Sequence, residues 1–374
     1  MAKRSKRSPL AAVILAAGKG TRMKSDTAKV LHELGGKPLA WYAVRAALDA
    51  GAAPVVVVVG HQAAEVEARL RAELPGAPLR FALQREQRGT AHAVLAARPA
   101  LRGVAGPVAI LSGDVPLLST ATLSRVVAAR AKARAPLAFA TMALEAPRGY
   151  GRVVRDGRGR PARIVEEKDA GEAERAIREV NAGLYCADAA FLWKALARIG
   201  SGNAQGEFYL TDLVALAAGG RAPVTVPVDP LEASGVNDRE ELARAGAVLQ
   251  RRRASALMRA GVTLETPERF LCDEGVEVGP DAVVEPDVRL RGATRIGAGC
   301  RIGQGAVLAD AVLAPGVTVR PYTVIEGPAT VGAGAILGPF SRIRPGSELA
   351  EGVHVGNFVE TKKTRLGKGS KANH

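Results

Sequence analysis

The sequence has few of the residues on which several functional classes depend. Aromatic residues make up only 4% of the 374 residues, with two tryptophans, which argues against a surface that stacks nucleic-acid bases. The three cysteines, Cys186, Cys272 and Cys300, are far apart and odd in number, so they indicate neither a disulfide framework nor a metal site. The five histidines also lack the spacing of a zinc site.

Long apolar runs are missing as well. The longest runs, Ala11–Ala17 and Val55–Val59, fall far short of the roughly 18 residues that a membrane-spanning helix requires. The first of them leads straight into a glycine loop without a small-residue cleavage site, which excludes a secretory signal peptide. We therefore expect a cytoplasmic protein that is not inserted into a membrane.

The charge of the chain is strongly positive. Lysine and arginine number 52 against 37 aspartates and glutamates, which gives a net charge of +15. Such a charge favours an anionic partner, which could be a phosphorylated substrate, nucleic acid or an acidic surface. The basic residues are scattered, however, and Arg251–Arg253 is the densest triplet, so we expect no nucleic-acid partner. Residues 1–10 are predicted to form a basic tail.

Residues 11–236 show alternating strand and helix patterns. Several strand-like runs are continuous in valine, isoleucine and leucine, which is typical of buried parallel strands. This alternation predicts a doubly wound α/β domain, whose ligands bind beyond the carboxyl ends of the strands. A helix is predicted over Pro38–Ala50. The predicted strands are Ala12–Ala16, Val55–Val59, Val108–Ser112, Leu137–Leu144 and Val224–Val228.

Two further segments are predicted, a linker helix region over residues 237–269 and a repeat domain over residues 270–374. The helix spans Asn237–Leu257, with Asp238 available as its cap. In the repeat domain an aliphatic residue recurs every six positions, with one five-residue step, and this hexapeptide period predicts a parallel β-helix whose aliphatic residues point inward. The fourteen positions are Val278, Val284, Leu290, Ile296, Ile302, Leu308, Leu313, Val319, Ile325, Val331, Leu337, Ile343, Leu349 and Val355.

A glycine loop, Leu15–Lys29, follows the first predicted strand. Gly18 and Gly20 allow close approach of the backbone to a phosphate, while Arg22 and Lys29 supply positive charge to polyphosphate oxygens. The loop fits neither the dinucleotide-binding pattern nor the Walker A pattern. It is therefore predicted to be a phosphate-binding loop of another kind.

The loop sequence LAAGKGTRM with a downstream lysine resembles the sugar-phosphate nucleotidylyltransferases. Nine further motifs narrow the resemblance to the bifunctional N-acetylglucosamine-1-phosphate uridylyltransferase/glucosamine-1-phosphate acetyltransferases, and it covers nearly the whole chain after residue 10. In chain order the motifs are QREQRGTAHA from Gln84, LSGDVPL from Leu111, GYGRVV from Gly149, IVEEKDA from Ile164, VNAGLY from Val180, NAQGEFYLTDL from Asn203, GVNDR from Gly235, RIRPGSEL from Arg342 and HVGNFVETKKTRLGKGSKANH from His354.

The resemblance implies a doubly wound nucleotidyltransferase domain followed by a left-handed parallel β-helix, and a homotrimer. It implies transfer of UMP from UTP to N-acetylglucosamine 1-phosphate, giving UDP-N-acetylglucosamine for cell-envelope synthesis and pyrophosphate. Because the nucleophile is already a phosphate anion, this reaction needs alignment and charge neutralisation rather than a general base. Mg²⁺ is the implied cofactor.

The resemblance also implies roles for individual residues. Asp114 and Asn237 would hold Mg²⁺, and Arg22 and Lys29 would stabilise the phosphates. Alternatives from the residues alone are a turn or helix cap for Asp114, a solvated loop cation for Arg22 or Lys29, a strand-end polar residue for Gln84 and a salt bridge for Glu166. The implied substrate-binding residues are Leu15, Ala16, Ala17, Gly18, Lys29, Gln84, Gly89, Thr90, Ser112, Gly113, Asp114, Gly151, Glu166, Asn181 and Asn237.

The second implied activity is the acetylation of glucosamine 1-phosphate by acetyl-CoA. Arg344 and Lys362 would bind the phosphate of the sugar, and His374 would be the general base, a task that suits its near-neutral pKa. His374 is the last residue of this sequence, whereas full-length relatives continue for several coils. We therefore expect a truncated member in which acetyl transfer is impaired, and a frayed terminal residue is the alternative for His374.

Two alternative functions stay open at this stage. One is a nucleotidylyltransferase for another sugar or base, which the segment Gln84–Thr90 and the paired motifs IVEEKDA and VNAGLY argue against. The other is a non-catalytic scaffold or nucleic-acid binder that uses the net positive charge, which the joint presence of Arg22, Lys29, Asp114 and Asn237 argues against.

Overall fold

A computed structural model describes residues 9–374, so most of the predicted basic tail lies outside the described residues. The described chain forms two compact units. The first comprises residues 9–32 and 38–242, and the second comprises residues 33–37 and 243–374. Over residues 9–374, no helix combines the length and the apolar character needed to cross a bilayer.

The first unit is built on one large sheet in which the strand Ala11–Ala16 lies near the centre. This strand pairs in parallel with Val55–Val59 on one side and Pro107–Ser112 on the other. Two further strands, Arg152–Arg155 and Pro161–Val165, form a hairpin that joins the sheet at Val180. Across the sheet the order of the main strands is Val224–Pro227, Leu137–Ala143, Glu179–Asp188, Pro107–Ser112, Ala11–Ala16, Val55–Val59 and Leu79–Leu83.

Helices cover both faces of this sheet, as a doubly wound fold requires. Alternate residues of the central strand face opposite sides: Ile14 packs with the helices Leu39–Asp49 and Ala63–Glu73, and Val13 packs with Ala189–Leu196. The predicted strands and the helix over 38–50 are all present, with ends that differ by no more than one residue from the prediction. The remaining helices of this unit are Thr90–Ala96, Thr120–Ala133, Glu172–Arg175, Asp212–Ala218 and Pro230–Ala233.

One central strand was not predicted from the sequence. Glu179–Asp188 runs antiparallel to its neighbours Pro107–Ser112 and Leu137–Ala143, so its first residues lie at the carboxyl ends of the neighbouring strands. A register shift between Asn181 and Tyr185 interrupts its pairing. Because of this reversal, the start of the strand, including Asn181, lies at the edge of the sheet where ligands bind.

The second unit contains a parallel β-helix with three columns of paired strands. Each coil contributes one short strand to each column, and the columns are held by parallel pairing between successive coils. The first column is Thr263–Leu264, Val283–Val284, Arg301–Ile302, Thr318–Val319, Ile336–Leu337, His354–Val355 and Lys371–Ala372. The second is Leu271–Cys272, Arg289–Arg291, the start of Val307–Leu313, the start of Val324–Val331, Arg342–Ile343 and Glu360–Thr361. The third is Glu277–Val278, Arg295–Ile296, the ends of those two long strands, Ser347–Leu349 and Arg365–Leu366.

The predicted inward positions form the core of this β-helix. All fourteen aliphatic residues are buried except Val278, which is partly buried and packs against the same core. The five-residue step between Leu308 and Leu313 coincides with a register shift in the strand Val307–Leu313, where Asp310 has a φ of +50°. The shortened hexad is thus accommodated at a corner, and the aliphatic residues on either side stay in the core.

The helix predicted over 237–257 is present as Arg239–Arg259, and from Ala243 onwards it belongs to the second unit. Asp238 caps it as predicted, because its Oδ1 atom accepts a hydrogen bond from the Glu241 amide at 2.8 Å. The short strands Glu33–Leu34 and Lys37–Pro38 lie much earlier in the sequence, and residues 33–37 nevertheless belong to the second unit.

Glycines at the corners of the β-helix let successive coils approach closely, and this generates a prediction about stability. A Cβ atom on Gly332 would lie 2.5 Å from the carbonyl carbon of Ala350 in the next coil, whereas one on Gly367 would meet only Ser370 Oγ, at 3.7 Å. Gly332→Ala should therefore lower the free energy of unfolding by about 1–3 kcal/mol, the typical cost of overpacking.

The matched control is Gly367→Ala, which adds the same methyl group in the same unit and should change stability by less than about 0.5 kcal/mol. Urea unfolding followed by circular dichroism measures both variants. Equal midpoints for the two would contradict the packing observed at Gly332.

Candidate active site

The glycine loop leaves the central strand Ala11–Ala16 at its carboxyl end. Its backbone turns at Gly20, which has a φ of +64°, and a Cβ atom there would overlap the side chain of Lys29. Glycine is therefore required at position 20 if Lys29 is to pack back against the loop. Gly18 is exposed, and no heavy atom lies within 4 Å of where its Cβ would be. The backbone at Gly18 is thus open to a ligand.

Lys29, Asp114 and Asn237 meet although they are far apart in the sequence. The Nζ atom of Lys29 donates hydrogen bonds to Asp114 Oδ2 at 2.5 Å and to Asn237 Oδ1 at 3.1 Å. The Lys29 and Asp114 side chains are only 12% and 22% exposed, so the ion pair is largely shielded from water. The backbone fixes the two acceptors relative to each other, because the Val236 amide donates to the Asp114 carbonyl at 2.8 Å. Two side-chain oxygens therefore converge on one cationic atom.

A cavity of about 260 Å³ opens beside this cluster at the carboxyl edge of the sheet. It receives residues from the glycine loop and from the loops after two other parallel strands. The predicted residues that line it are Leu15, Ala16, Ala17, Gly18, Lys29, Gln84, Gly89, Thr90, Ser112 and Asp114. Four residues that were not predicted also line it: Val30, Gln87, Ala93 and Glu207.

The far side of the cavity is formed by the segment that follows the strand Leu79–Leu83. Gln84 is 4% exposed, and its Nε2 atom donates to the Gly89 carbonyl at 3.2 Å. Gly89 has a φ of +106°, and a Cβ atom on it would lie 2.6 Å from the carbonyl oxygen of Phe208. Only glycine fits there, because the backbone of Phe208 lies against Gly89.

A second group of predicted residues assembles at Gly151, Glu166 and Asn181. The Asn181 amide donates to the Gly151 carbonyl at 2.9 Å, and a Cβ atom on Gly151 would lie 3.3 Å from both carboxylate oxygens of Glu166. The structure thus joins three residues from three motifs. None of the three lines the 260 Å³ cavity.

The carboxylate of Glu166 is partly shielded, and burial raises its pKa above the ordinary value. A hydrogen bond from Thr211 Oγ1, at 3.0 Å, acts in the opposite direction, while the nearby charges of Asp169 and Asp212 raise the pKa further. The salt bridge considered for Glu166 is not formed with Lys168, whose Nζ atom donates to Gln205 Oε1 at 2.7 Å. Thr211 is therefore the neighbour that favours the ionised form of Glu166.

The segment 203–211, for which the sequence suggests no chemistry, contacts both groups of residues. The Leu210 amide donates to Thr90 Oγ1 at 3.0 Å, and the Phe208 backbone pairs with the amide of Ala91 at 2.9 Å. One residue further on, Thr211 reaches Glu166. This short segment therefore connects the cavity with the group at Glu166.

Tyr150 is another residue that the sequence did not single out. Burial raises the pKa of its phenol, and the negative charges of Glu241 and Asp114 raise it further. The phenol is therefore neutral at physiological pH and can act only as a neutral hydrogen-bonding group near the Asp114 carboxylate.

Two predicted site residues of the first unit, Gly113 and Arg22, do not line the cavity. Gly113 is buried, and its amide donates to the Leu15 carbonyl at 2.9 Å, so it joins the loop after Pro107–Ser112 to the strand Ala11–Ala16. Arg22 is exposed in the short 3-10 turn Thr21–Met23 and does not line the cavity. A role for Arg22 in stabilising the phosphates therefore stays a prediction.

In the β-helix, Arg344 and Lys362 lie side by side on successive coils. The Arg344 amide donates to the Thr361 carbonyl at 2.9 Å, which places the residue that follows, Lys362, opposite Arg344. The Arg344 guanidinium also pairs with Glu360 at 2.7 Å. His374 is exposed and follows the strand Lys371–Ala372, which belongs to a different column of the β-helix. Arg344 and Lys362 therefore form a pair, whereas His374 is not part of it.

Across residues 9–374, no group of three or more histidine, cysteine, aspartate or glutamate side chains could enclose a metal ion. A cation at Asp114 and Asn237 would thus have two protein oxygens and would take its other ligands from water or substrate, as Mg²⁺ commonly does. The two oxygens already accept a cation, the Lys29 ammonium group, so the donor set fits a hard cation.

Comparison with known proteins gives three results. The family model described as the MobA-like NTP transferase domain matches residues 12–201. A protein named Bifunctional protein GlmU from Anaeromyxobacter sp. (strain Fw109-5) is 73% identical over 366 residues, which is 98% of this chain and 74% of that protein. The protein of the same name from Trichlorobacter lovleyi is 49% identical over 97% of this chain and 79% of its own length.

Solved structures resemble the fold of this chain. A UDP-glucose pyrophosphorylase complexed with UDP-glucose matches with a TM-score of 0.54 at 19% identity, over 66% of this chain and all of the other. A putative glucose-1-phosphate thymidylyltransferase from Bacillus anthracis matches with a TM-score of 0.53 at 18% identity, over 64% of this chain and 94% of the other. These similarities establish the nucleotidyltransferase fold, as expected from the sequence.

The contact between Thr211 and Glu166 generates a prediction about pH. Because the folded-state pKa of Glu166 is raised, the protonated form stabilises the fold, and this contribution is lost as the pH rises through the raised pKa. Thr211→Val removes the donor that favours the carboxylate, so the pKa should rise further. At pH 8 the free energy of unfolding of this variant should be lower than that of the original protein by about 1–3 kcal/mol, the cost of a lost hydrogen bond to a charged group.

The deficit should shrink as the pH falls towards about 4.3, the ordinary value for glutamate. Thr211→Ser, which keeps the hydroxyl group, serves as the control and should retain the pH dependence of the original protein. Urea unfolding at a series of pH values tests this. If the loss of stability in Thr211→Val does not change with pH, packing alone causes the loss, and the prediction is wrong.

Proposed function

This chain belongs to the family of the bifunctional protein GlmU, and from that membership we propose which of its residues carry the family's first reaction. The protein is a transferase that moves UMP from UTP to N-acetylglucosamine 1-phosphate, with pyrophosphate as the second product. The product, UDP-N-acetylglucosamine, is a precursor for the cell wall. The observation that best supports our choice of residues is the convergence of Lys29, Asp114 and Asn237 beside the cavity.

The chemistry of the reaction decides what the protein must supply. The attacking group is the phosphate of the sugar, which is already anionic, so proton removal is not part of the step. The bond that forms joins this oxygen to the α-phosphorus of UTP, and the bond that breaks releases pyrophosphate. The site must therefore align two anions and stabilise the charge that accumulates between them.

We assign the nucleotide to the cavity. The backbone from Leu15 to Gly18 would face the phosphates, and the Lys29 ammonium group would neutralise them. Gln84, Gly89 and Thr90 would read the base, since a side-chain amide offers both a donor and an acceptor to a pyrimidine edge. The contacts that support this assignment are those of the cavity lining and the hydrogen bond between Gln84 and Gly89.

We assign the acceptor sugar to the group at Gly151, Glu166 and Asn181. A carboxylate that is partly shielded from water accepts hydrogen bonds from sugar hydroxyl groups or an acetamide N–H more strongly than an exposed one does. The hydrogen bond from Thr211 favours the ionised form of Glu166 that this role requires.

A divalent cation, Mg²⁺, would be held by Asp114 and Asn237. When bound, it would neutralise negative charge on the phosphates. The Val236 amide and the Asp114 carbonyl hold these two ligands at a fixed separation, so the protein contributes a preformed pair of oxygen ligands.

For the second reaction, we propose that Arg344 and Lys362 bind the phosphate of glucosamine 1-phosphate and that His374 is the general base, with acetyl-CoA as the acyl donor. The placement of Arg344 opposite Lys362 supports the phosphate site. A bound phosphate would compete with Glu360 for the Arg344 guanidinium, at the exposed surface of the β-helix.

The assignment of Asp114 leads to a direct test of the first reaction. Asp114→Ala removes the only anionic side chain of the proposed cation site and should lower kcat for pyrophosphate release by about 100-fold or more, the usual effect of losing one strongly charge-stabilising group. Asp26→Ala serves as the control, because Asp26 is an exposed aspartate of the glycine loop and has no role in the proposal. A turnover of Asp114→Ala within a few-fold of the control would refute the assignment.

We also propose that the protein is a homotrimer. The resemblance implies this state, and a β-helix with three columns of strands offers flat faces through which copies could associate. Light scattering should then return about three times the chain mass of 38.8 kDa. A single species with the mass of one chain at micromolar concentration would contradict the proposal.

A further inference from the structure

The most informative feature of the site is that its proposed metal ligands are already engaged by a cation from the chain itself. Lys29 Nζ lies 2.5 Å from Asp114 Oδ2 and 3.1 Å from Asn237 Oδ1. The Lys29 side chain is 12% exposed and that of Asp114 22%, so the contact is largely shielded from water. The ammonium group thus takes up the coordination directions that a divalent cation would need.

Hydrogen bonds and packing hold the main chain around this contact and leave the end of the Lys29 side chain as the part that can move. The Ala28 amide donates to the side chain of Gln62 at 2.5 Å, and the loop backbone at Gly20 packs against the Cβ of Lys29. On the other side, the Asn237 amide donates to Glu241 at 2.6 Å. The main chain on both sides is held in place, so a change of occupant at the two oxygens requires the flexible end of the lysine side chain to move.

Electrostatic repulsion prevents the Lys29 ammonium group and a divalent cation from occupying the site at Asp114 and Asn237 together. Two positive groups about 3 Å apart repel strongly in a site shielded from water, where the effective dielectric constant is well below that of bulk water. A divalent cation can therefore bind Asp114 and Asn237 only after the ammonium group has left. The departing group needs another anionic partner, and the cavity between Gly18 and Lys29 is where the phosphates of the nucleotide would supply one.

We propose that Lys29 competes with the divalent cation for Asp114 and Asn237, and that the nucleotide's phosphates relieve this competition by drawing Lys29 away. This proposal rests on the metal and nucleotide sites assigned above. It assigns Lys29 a second role. The same ammonium group occupies the metal ligands before the nucleotide binds and neutralises phosphate afterwards. Metal and nucleotide binding are then coupled, and each should strengthen the other.

The proposal predicts that removal of the ammonium group strengthens metal binding. In the protein without nucleotide, only the fraction of molecules in which Lys29 has left the site can bind the metal, so the apparent affinity is reduced by that fraction. Lys29→Met and Lys29→Gln lack the charge and should bind Mn²⁺ about tenfold more tightly than the original protein. Lys29→Arg keeps the charge and should bind as weakly as the original protein.

Binding of Mn²⁺ alone, followed by electron paramagnetic resonance of the free ion, is a measurement that does not depend on turnover. Lys24→Met is the matched control, because it removes one exposed lysine of the same loop and tests for a general effect of net charge. The proposal expects Lys24→Met to match the original protein, and circular dichroism verifies that every variant is folded.

Three outcomes oppose the proposal in distinguishable ways. Equal Mn²⁺ affinity in the original protein and both neutral variants overturns the competition and leaves the metal assignment standing. Equal tightening in Lys24→Met and Lys29→Met overturns it in favour of a general charge effect. Absence of Mn²⁺ binding in every variant and in the original protein overturns the assignment of Asp114 and Asn237, and the competition with it.

Discussion

The parallel pairing of Ala11–Ala16 with strands on both sides is the constraint on which the site depends. Because Val55–Val59 and Pro107–Ser112 run in the same direction as this strand, the loops that follow all three begin at one edge of the sheet. The glycine loop and Asp114 come from two of these loops, and the next parallel strand along the sheet delivers Gln84. Residues as far apart in the sequence as Gly18, Gln84 and Asp114 thus share one cavity because their strands share one direction.

The same constraint explains how much could be predicted. Continuous aliphatic runs identify buried parallel strands, and a polar residue shortly after the end of such a strand, like Asp114, is expected at the edge of the sheet. The strand Glu179–Asp188 escaped this reasoning, because its pattern is interrupted at the bulge near Gly183, where the backbone has a φ of +73°. Its antiparallel direction, which brings Asn181 to the same edge, depends on long-range pairing that no local pattern encodes.

Unlike the strand Glu179–Asp188, the core of the β-helix could be predicted almost completely from the sequence. Each inward residue contacts its equivalents in the neighbouring coils, so the period of six is imposed directly on the chain. The corners were harder to predict. The exposed rings of Tyr322, Phe340 and Phe358 stack at 5.3 and 5.5 Å along one edge of the β-helix. Although aromatic residues are few in this sequence, three of them are thus clustered on one edge of the β-helix.

The proposed reaction needs no group that removes a proton, because its nucleophile is already an anion. Burial keeps the Tyr150 phenol neutral, and Thr211 stabilises the ionised form of Glu166 in surroundings that would otherwise favour its protonation. The ion pair of the site joins the Lys29 ammonium group to the Asp114 carboxylate and is largely shielded from water. Such a site is suited to a reaction between two phosphate anions, where the barrier lies in bringing like charges together. In the proposed reaction the charges of the protein would offset that repulsion. The segment 203–211 contacts both halves of the site, through Thr90 and Glu166.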